Sequence, residues 1–148
     1  MKTQAQWFNG YSSVHQHPRN RAIHWACVPL IFACVVAWLC ALPSGHWPGL
    51  WGAAAALLAT GFYLTLSLRI AIAMLAWMAL NVVICAGLVL RFGATTVAVW
   101  ALAVFVLAWV GQFVGHVIEG RKPSFFTDLA YLLVGPAWLM EKLLAGKQ

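Results

Sequence analysis

"LWGAAAALLATGFYLTLSLRIAIAMLAWMALNVVICAGLVL", residues 50–90, contains a single charged side chain, Arg69. As one straight helix rising ~1.5 Å per residue it would be roughly 60 Å long, twice the ~30 Å hydrocarbon core of a bilayer. One span cannot use that length, so the run reads as a tight helical hairpin turning at Arg69. Its arms are about Leu50–Leu68 and Ile70–Leu90. The rest of the chain has the same character: 64% of residues are hydrophobic and 8% charged, against about 25% charged in a typical soluble domain.

Working outward, a span of about His24–Leu42 precedes the hairpin, with Pro29 expected to kink it near its start. "PSGHWPG", residues 43–49, is a compact turn rich in Pro and Gly. A span of about Thr95–Gly115 follows the hairpin. A shorter apolar stretch, Leu129–Leu144, contains Gly135 and Pro136 and reads as re-entrant or interfacial. The expected fold is all-α: a polytopic membrane helical bundle of about four transmembrane helices plus a short C-terminal helix, forming one integral membrane domain over residues 1–148. The first 22 residues are polar, and no cleavable signal peptide is expected. Cys27, Cys34, Cys40 and Cys85 all lie in apolar runs without a CxxC pair, which suits packing rather than disulfides or a thiolate metal site.

The net charge of +6 does not point to nucleic acid, because the basic residues are scattered and sit at the ends of apolar runs. Topology and anionic lipid explain them better. With four spans and a cytoplasmic N-terminus, Lys2, Arg19, Arg21, Arg69, Arg121 and Lys122 fall on the cytoplasmic side and only Arg91 on the other. Lys142 and Lys147 join the majority if the last stretch does not cross.

This topology gathers unusual polar residues on one face. "SSVHQHPRNRAIHWACVP", residues 12–29, holds three of the five histidines, His15, His17 and His24. Pro18 makes a continuous helix through them unfavourable, so His15 belongs to a preceding helix or loop that can fold over beside His24, while Asn20 and His24 are i, i+4 neighbours. In "WVGQFVGHVIEGRKPSFFTDL", residues 109–129, Gln112, His116 and Glu119 share one helical face. A polar stripe at the end of a membrane helix is costly unless it meets a partner, water or a metal. Gly111 and Gly115 form a small-xxx-small pair that admits a second helix closely. His15, His24 and His116 are thus candidate metal ligands. Imidazole suits zinc, iron, copper and nickel, so spacing does not name the metal. His17 is either a further ligand or solvated, and His46 is a solvated loop histidine. The three acidic residues, Glu119, Asp128 and Glu141, are too few for a carboxylate-rich di-iron bundle. No P-loop, GxSxG or dinucleotide motif is present.

Two stretches taken together are familiar. "HQHPRNRAIHWACVP", residues 15–29, resembles an H-x-x-P-x-N-x-x-I-H-x-x-x-x-P signature. The stretch from Trp109 to Pro136 resembles its downstream partner: Q-F-x-G-H, then Glu, a basic pair, Pro and an Asp-led apolar segment. Both belong to the small membrane family of 2-hydroxy fatty acid dioxygenases, whose fungal member acts in the endoplasmic reticulum and which has bacterial relatives. The resemblance covers nearly the whole chain. It implies an iron(II) enzyme that cleaves the C1–C2 bond of a 2-hydroxy fatty acid with dioxygen and without 2-oxoglutarate. Its histidines fall on His15, His24 and His116. His17 stands where relatives often carry Asn, and Glu119 follows His116 more closely than in some relatives. On this reading Gln112, Asn20 and Glu119 orient imidazoles, and Arg121 and Lys122 attract the substrate carboxylate. The partners are the hydroxy acid, dioxygen and membrane lipid. The location is a bacterial inner membrane, or the endoplasmic reticulum in a eukaryote, with the metal site on the cytoplasmic side. A partner-binding membrane scaffold, a bis-histidine haem protein and a zinc hydrolase remain as rival readings of the same residues.

Overall fold

The computed structural model describes residues 3–120 and 131–146. Among them are six helices: α1 Gln4–Ser13, α2 Pro18–Ala41, α3 Leu50–Leu66, α4 Leu68–Phe92, α5 Ala94–Glu119 and α6 Val134–Ala145. No strand occurs among the described residues. Helices α2, α4 and α5 are long and apolar enough to cross a membrane, and α3 is a shorter apolar helix of 17 residues, about 26 Å at 1.5 Å per residue. The outer faces carry large apolar side chains that water would not tolerate in such density; Leu58, Val83 and Leu107 are 80%, 70% and 72% exposed. The fold is a membrane helical bundle.

The start of each helix follows from local chemistry. Thr3 and Gln6 form a reciprocal capping box at α1, satisfying two of the N–H groups a helix start leaves open. Pro18 occupies the first turn of α2, where its missing N–H costs nothing. α2 continues through Pro29, which a membrane helix packed among neighbours tolerates. The corner of the α3–α4 hairpin falls at Ser67, just before the expected Arg69. Ser67 has extended backbone, and its Oγ accepts from the Ile70 N–H, so the apolar run hides an ordinary N-cap. Arg69 instead lies in the first turn of α4 and donates to the Leu144 carbonyl at 2.7 Å. At the other end of the bundle Gly49 and Gly93 have positive φ, 90° and 86°, and they reverse the chain at little steric cost.

α2 and α5 form the most extensive interface, α3 pairs with α4, and α4 also packs on α2. The core under α2, α3 and α4 is built around Tyr63, Ile70, Met74 and Met78, all at most 1% exposed. In a bilayer such contacts act through close packing rather than escape from water. Two glycines bring α5 against α2. A Cβ on Gly111 would lie 2.9 Å from Cys27 Sγ, and one on Gly115 would fall onto Asn20 Oδ1. All four cysteines are free thiols. α6 is too short to cross at about 18 Å. It docks against α1, α2 and α4, burying Val134 to Leu139 and leaving Leu143 exposed. Tyr63 Oη donates to the Leu133 carbonyl at 3.1 Å, which ties the turn before α6 to α3. The preceding residues Leu129 and Ala130 lie outside the described residues.

Candidate metal centre

Helices α1, α2 and α5 each bring one histidine to a common point. His15 follows α1, His24 lies in the second turn of α2, and His116 lies in the last turn of α5. They are 3%, 2% and 4% exposed. Their ring centroids stand 4.2 Å apart for His15 and His24, 5.4 Å for His15 and His116, and 5.1 Å for His24 and His116. One ligand atom from each lies within 4.8 Å of the others, close enough for one cation to be shared.

Two of the imidazoles are oriented by backbone. His15 Nδ1 donates to the Tyr11 carbonyl at 2.7 Å and His24 Nδ1 to the Asn20 carbonyl at 3.0 Å. A carbonyl only accepts, so the proton sits on Nδ1 and the lone pair on Nε2. A backbone carbonyl holding one imidazole nitrogen while the other faces a metal is the usual support of a histidine ligand. Both bonds run from residue i to residue i−4, so the local turn that positions each ring also chooses its tautomer. The Tyr11 ring adds a wall: it stacks on His15 with centroids 4.2 Å apart and planes 19° apart. The donor set fits a metal: three buried imidazoles, one from the elbow between α1 and α2, one from α2 and one from α5, two with their nitrogens pre-assigned. Haem fits poorly, because three rings within 5.4 Å of one another leave no room for a porphyrin plane between axial ligands.

Glu119 closes the site from outside. Its Oε1 accepts from the Gln16 N–H at 2.8 Å, and its Oε2 accepts from the His17 N–H at 2.8 Å and from Asn20 Nδ2 at 3.0 Å. The carboxylate thus sits at the N-terminus of α2, where backbone N–H groups and the helix dipole favour negative charge. It fixes the elbow that carries His15 through these hydrogen bonds to Gln16, His17 and Asn20. Asn20 is fully buried and joins three jobs: its carbonyl holds His24, its amide holds Glu119, and its Oδ1 rests on Gly115. His17 is exposed and caps α2, its Nδ1 accepting from the Arg19 N–H at 3.2 Å. His46 is exposed in the turn at the opposite end of the bundle.

Gln112 is 5% exposed and lines a small cavity with His24, Val28, Ile31 and Trp109. Arg121 and Lys122 lie outside the described residues. Tyr11, Gly135 and Trp138 were not apparent from the sequence. A Cβ on Gly135 would lie 3.2 Å from Tyr11 Oη, and Trp138 Nε1 donates to Ser12 Oγ at 2.8 Å. Tyr11 had a local signal, standing four residues before His15, whereas Gly135 and Trp138 reach the site only through the docking of α6.

The family described as 2-hydroxy-palmitic acid dioxygenase Mpo1-like matches residues 1–147, and the chain belongs to it. No curated protein and no solved structure matches the chain.

Proposed function

We propose, taking membership of that family as the premise, that the protein is an iron(II)-dependent dioxygenase of 2-hydroxy fatty acids. The reaction breaks C1–C2. A 2-hydroxy acid and one dioxygen become an acid one carbon shorter, carbon dioxide and water, and the hydroxy acid provides all four electrons, so 2-oxoglutarate is not required. The observation that carries this reading is the buried triangle of His15, His24 and His116 in a chain matched over its length by a dioxygenase family.

His15, His24 and His116 would hold the iron, which supplies a Lewis-acidic centre and one-electron chemistry toward dioxygen. Three imidazoles are neutral donors, and Glu119 is engaged at the start of α2. A divalent ion there keeps its full charge in a buried place, and such a charge requires an anionic partner. A hydroxy-carboxylate provides one, with its two oxygen donors in a chelating arrangement that lowers the entropic cost of orientation. Tyr11, Trp109, Val28 and Ile31 keep water from the imidazoles. Arg121 and Lys122 directly follow Gly120 in sequence and are proposed to draw the carboxylate to the site.

Arg19, Arg21, Arg69 and Lys142 belong to the ends of helices at the histidine side of the bundle, and Arg91 to the other. By the positive-inside rule this asymmetry supports a site on the cytoplasmic face, and the proposed location is a bacterial inner membrane or the endoplasmic reticulum. The same donors suit zinc, so the test must read the reaction itself. Incubated with iron(II), labelled oxygen and 2-hydroxypalmitate, the protein should release a labelled C15 acid without 2-oxoglutarate. Oxygen-independent conversion, or equal turnover of palmitate, would refute the reading.

A further inference from the structure

Two cavities lie on either side of Leu132. The first, about 30 Å³, is bordered by His24 and Gln112, by the aromatic side chains of Tyr11, Trp109 and Tyr131, and by aliphatic ones such as Val28 and Ile31. The second, about 90 Å³, lies between α2 and α3; Phe32, Val36 and Leu39 line it from one side and Gly52, Ala55 and Ala59 from the other. Leu132 is part of both walls. Along α2 the lining residues run in sequence from His24 through Val28 and Ile31 to Phe32, Val35 and Leu39. From His24 to Leu39 the helix advances ~22 Å, about the extended length of a sixteen-carbon acyl chain.

The two ends differ in chemistry. At the histidine end, the Gln112 amide is buried and makes no hydrogen bond to another described residue. The side chain borders the cavity, where a ligand can meet it. It offers both a donor and an acceptor, which suits the hydroxyl and carboxylate of a ligand. At the far end the lining is wholly apolar. Such a void stays dry and weakens the packing around it unless something apolar fills it.

We propose that the two cavities are halves of one acyl-chain channel, with Leu132 as its valve, Gln112 as the receiver of the polar head and α3 as the ruler that limits chain length. The proposal rests on the dioxygenase reading for the identity of its occupant, the tail of the hydroxy acid. The antiparallel pairing of α2 and α3 gives the ruler a direction. Gly52 lies against Cys40, where an added Cβ would come 2.9 Å from Sγ, so Ala55 is near the distal end by Leu39 and Ala59 is near the valve by Phe32. A phenylalanine at each position should therefore stop the chain at a different depth.

The test is equilibrium binding of 2-hydroxy acids of eight, twelve and sixteen carbons to the full-length, metal-loaded protein without oxygen. Ala55→Phe should weaken the sixteen-carbon acid about tenfold or more, as a blocked apolar pocket does, and leave the two shorter acids unchanged. Ala59→Phe should weaken the twelve- and sixteen-carbon acids and leave the eight-carbon acid unchanged. Leu39→Phe approaches the distal end from the opposite wall and should repeat the Ala55→Phe pattern, which keeps the test valid if one α3 variant fails to fold. Weakening that is equal at all lengths, or absent at all lengths, overturns the channel, and bilayer lipid then fills the second cavity. Length-graded binding without oxygen-dependent turnover would uphold the channel while removing the dioxygenase reading.

Discussion

The two ends of the bundle use polar groups differently. At the end away from the histidines the turn is closed by local bonds, and long-range ones among the described residues are few and tie helix to helix, as where Trp38 Nε1 donates to the Ala98 carbonyl at 3.1 Å. Ser44 Oγ donates to the Trp47 carbonyl at 2.8 Å and Trp51 Nε1 to the Pro43 carbonyl at 2.9 Å, which is what closing a tight turn requires. At the histidine end the bonds join segments far apart in sequence. Glu119 reaches Gln16, His17 and Asn20, Trp138 reaches Ser12, Arg69 reaches Leu144 and Tyr63 reaches Leu133. Turn closure and ordinary helix packing account for the first end. The second brings three buried imidazoles together, close enough to share one cation.

The contrast implies a ranking of substitutions. The largest effect falls on the imidazoles: His15→Ala, His24→Ala or His116→Ala should abolish activity, whereas His46→Ala at the opposite end should leave turnover unchanged. Turnover of 2-hydroxypalmitate measures both. Next is Glu119→Gln, which replaces an acceptor of three hydrogen bonds with a group that carries donors of its own. Metal affinity should fall roughly 10- to 100-fold, as for other residues that support ligands. Because Glu119 is not itself a ligand in this account, stoichiometric metal should return at higher metal concentration; a site that never refills would make it one.

Gly115→Ala tests the interface that carries the site. Its Cβ would collide with Asn20 Oδ1, and overpacking of this kind costs about 1–3 kcal/mol. Gly87→Ala meets no atom within 4 Å and should be neutral or stabilising by up to about 1 kcal/mol, since alanine is the better helix former. Reversible unfolding in detergent compares the two. The smallest effect is Trp138→Phe, which removes the bond to Ser12 and should lower stability by about 0.5–1.5 kcal/mol with the metal retained.

Much of this was readable from the sequence, and for physical reasons. Apolar length against bilayer thickness predicts the hairpin of α3 and α4. Pro18 separates His15 from His24 because it starts a helix. Gly111 and Gly115 announce a close neighbour, and α2 is that neighbour. What escaped lay in contacts that no local pattern encodes. Glu119 shares a helical face with His116, which suggests an imidazole partner, yet its oxygens meet N–H groups about a hundred residues earlier. The corner at Ser67 was masked because a serine N-cap is a weaker mark in an apolar run than the adjacent Arg69. The docking of α6, and with it Trp138 and Gly135, depends on tertiary packing alone.

The central claim is that His15, His24 and His116 hold one metal ion together. Metal content of the purified protein, after reconstitution with iron(II) and removal of loose metal, tests it most directly when the single variants and the triple alanine variant are measured beside the parent chain. The account predicts about one iron per parent chain and almost none in any of the variants. Stoichiometric iron in the triple variant would contradict it.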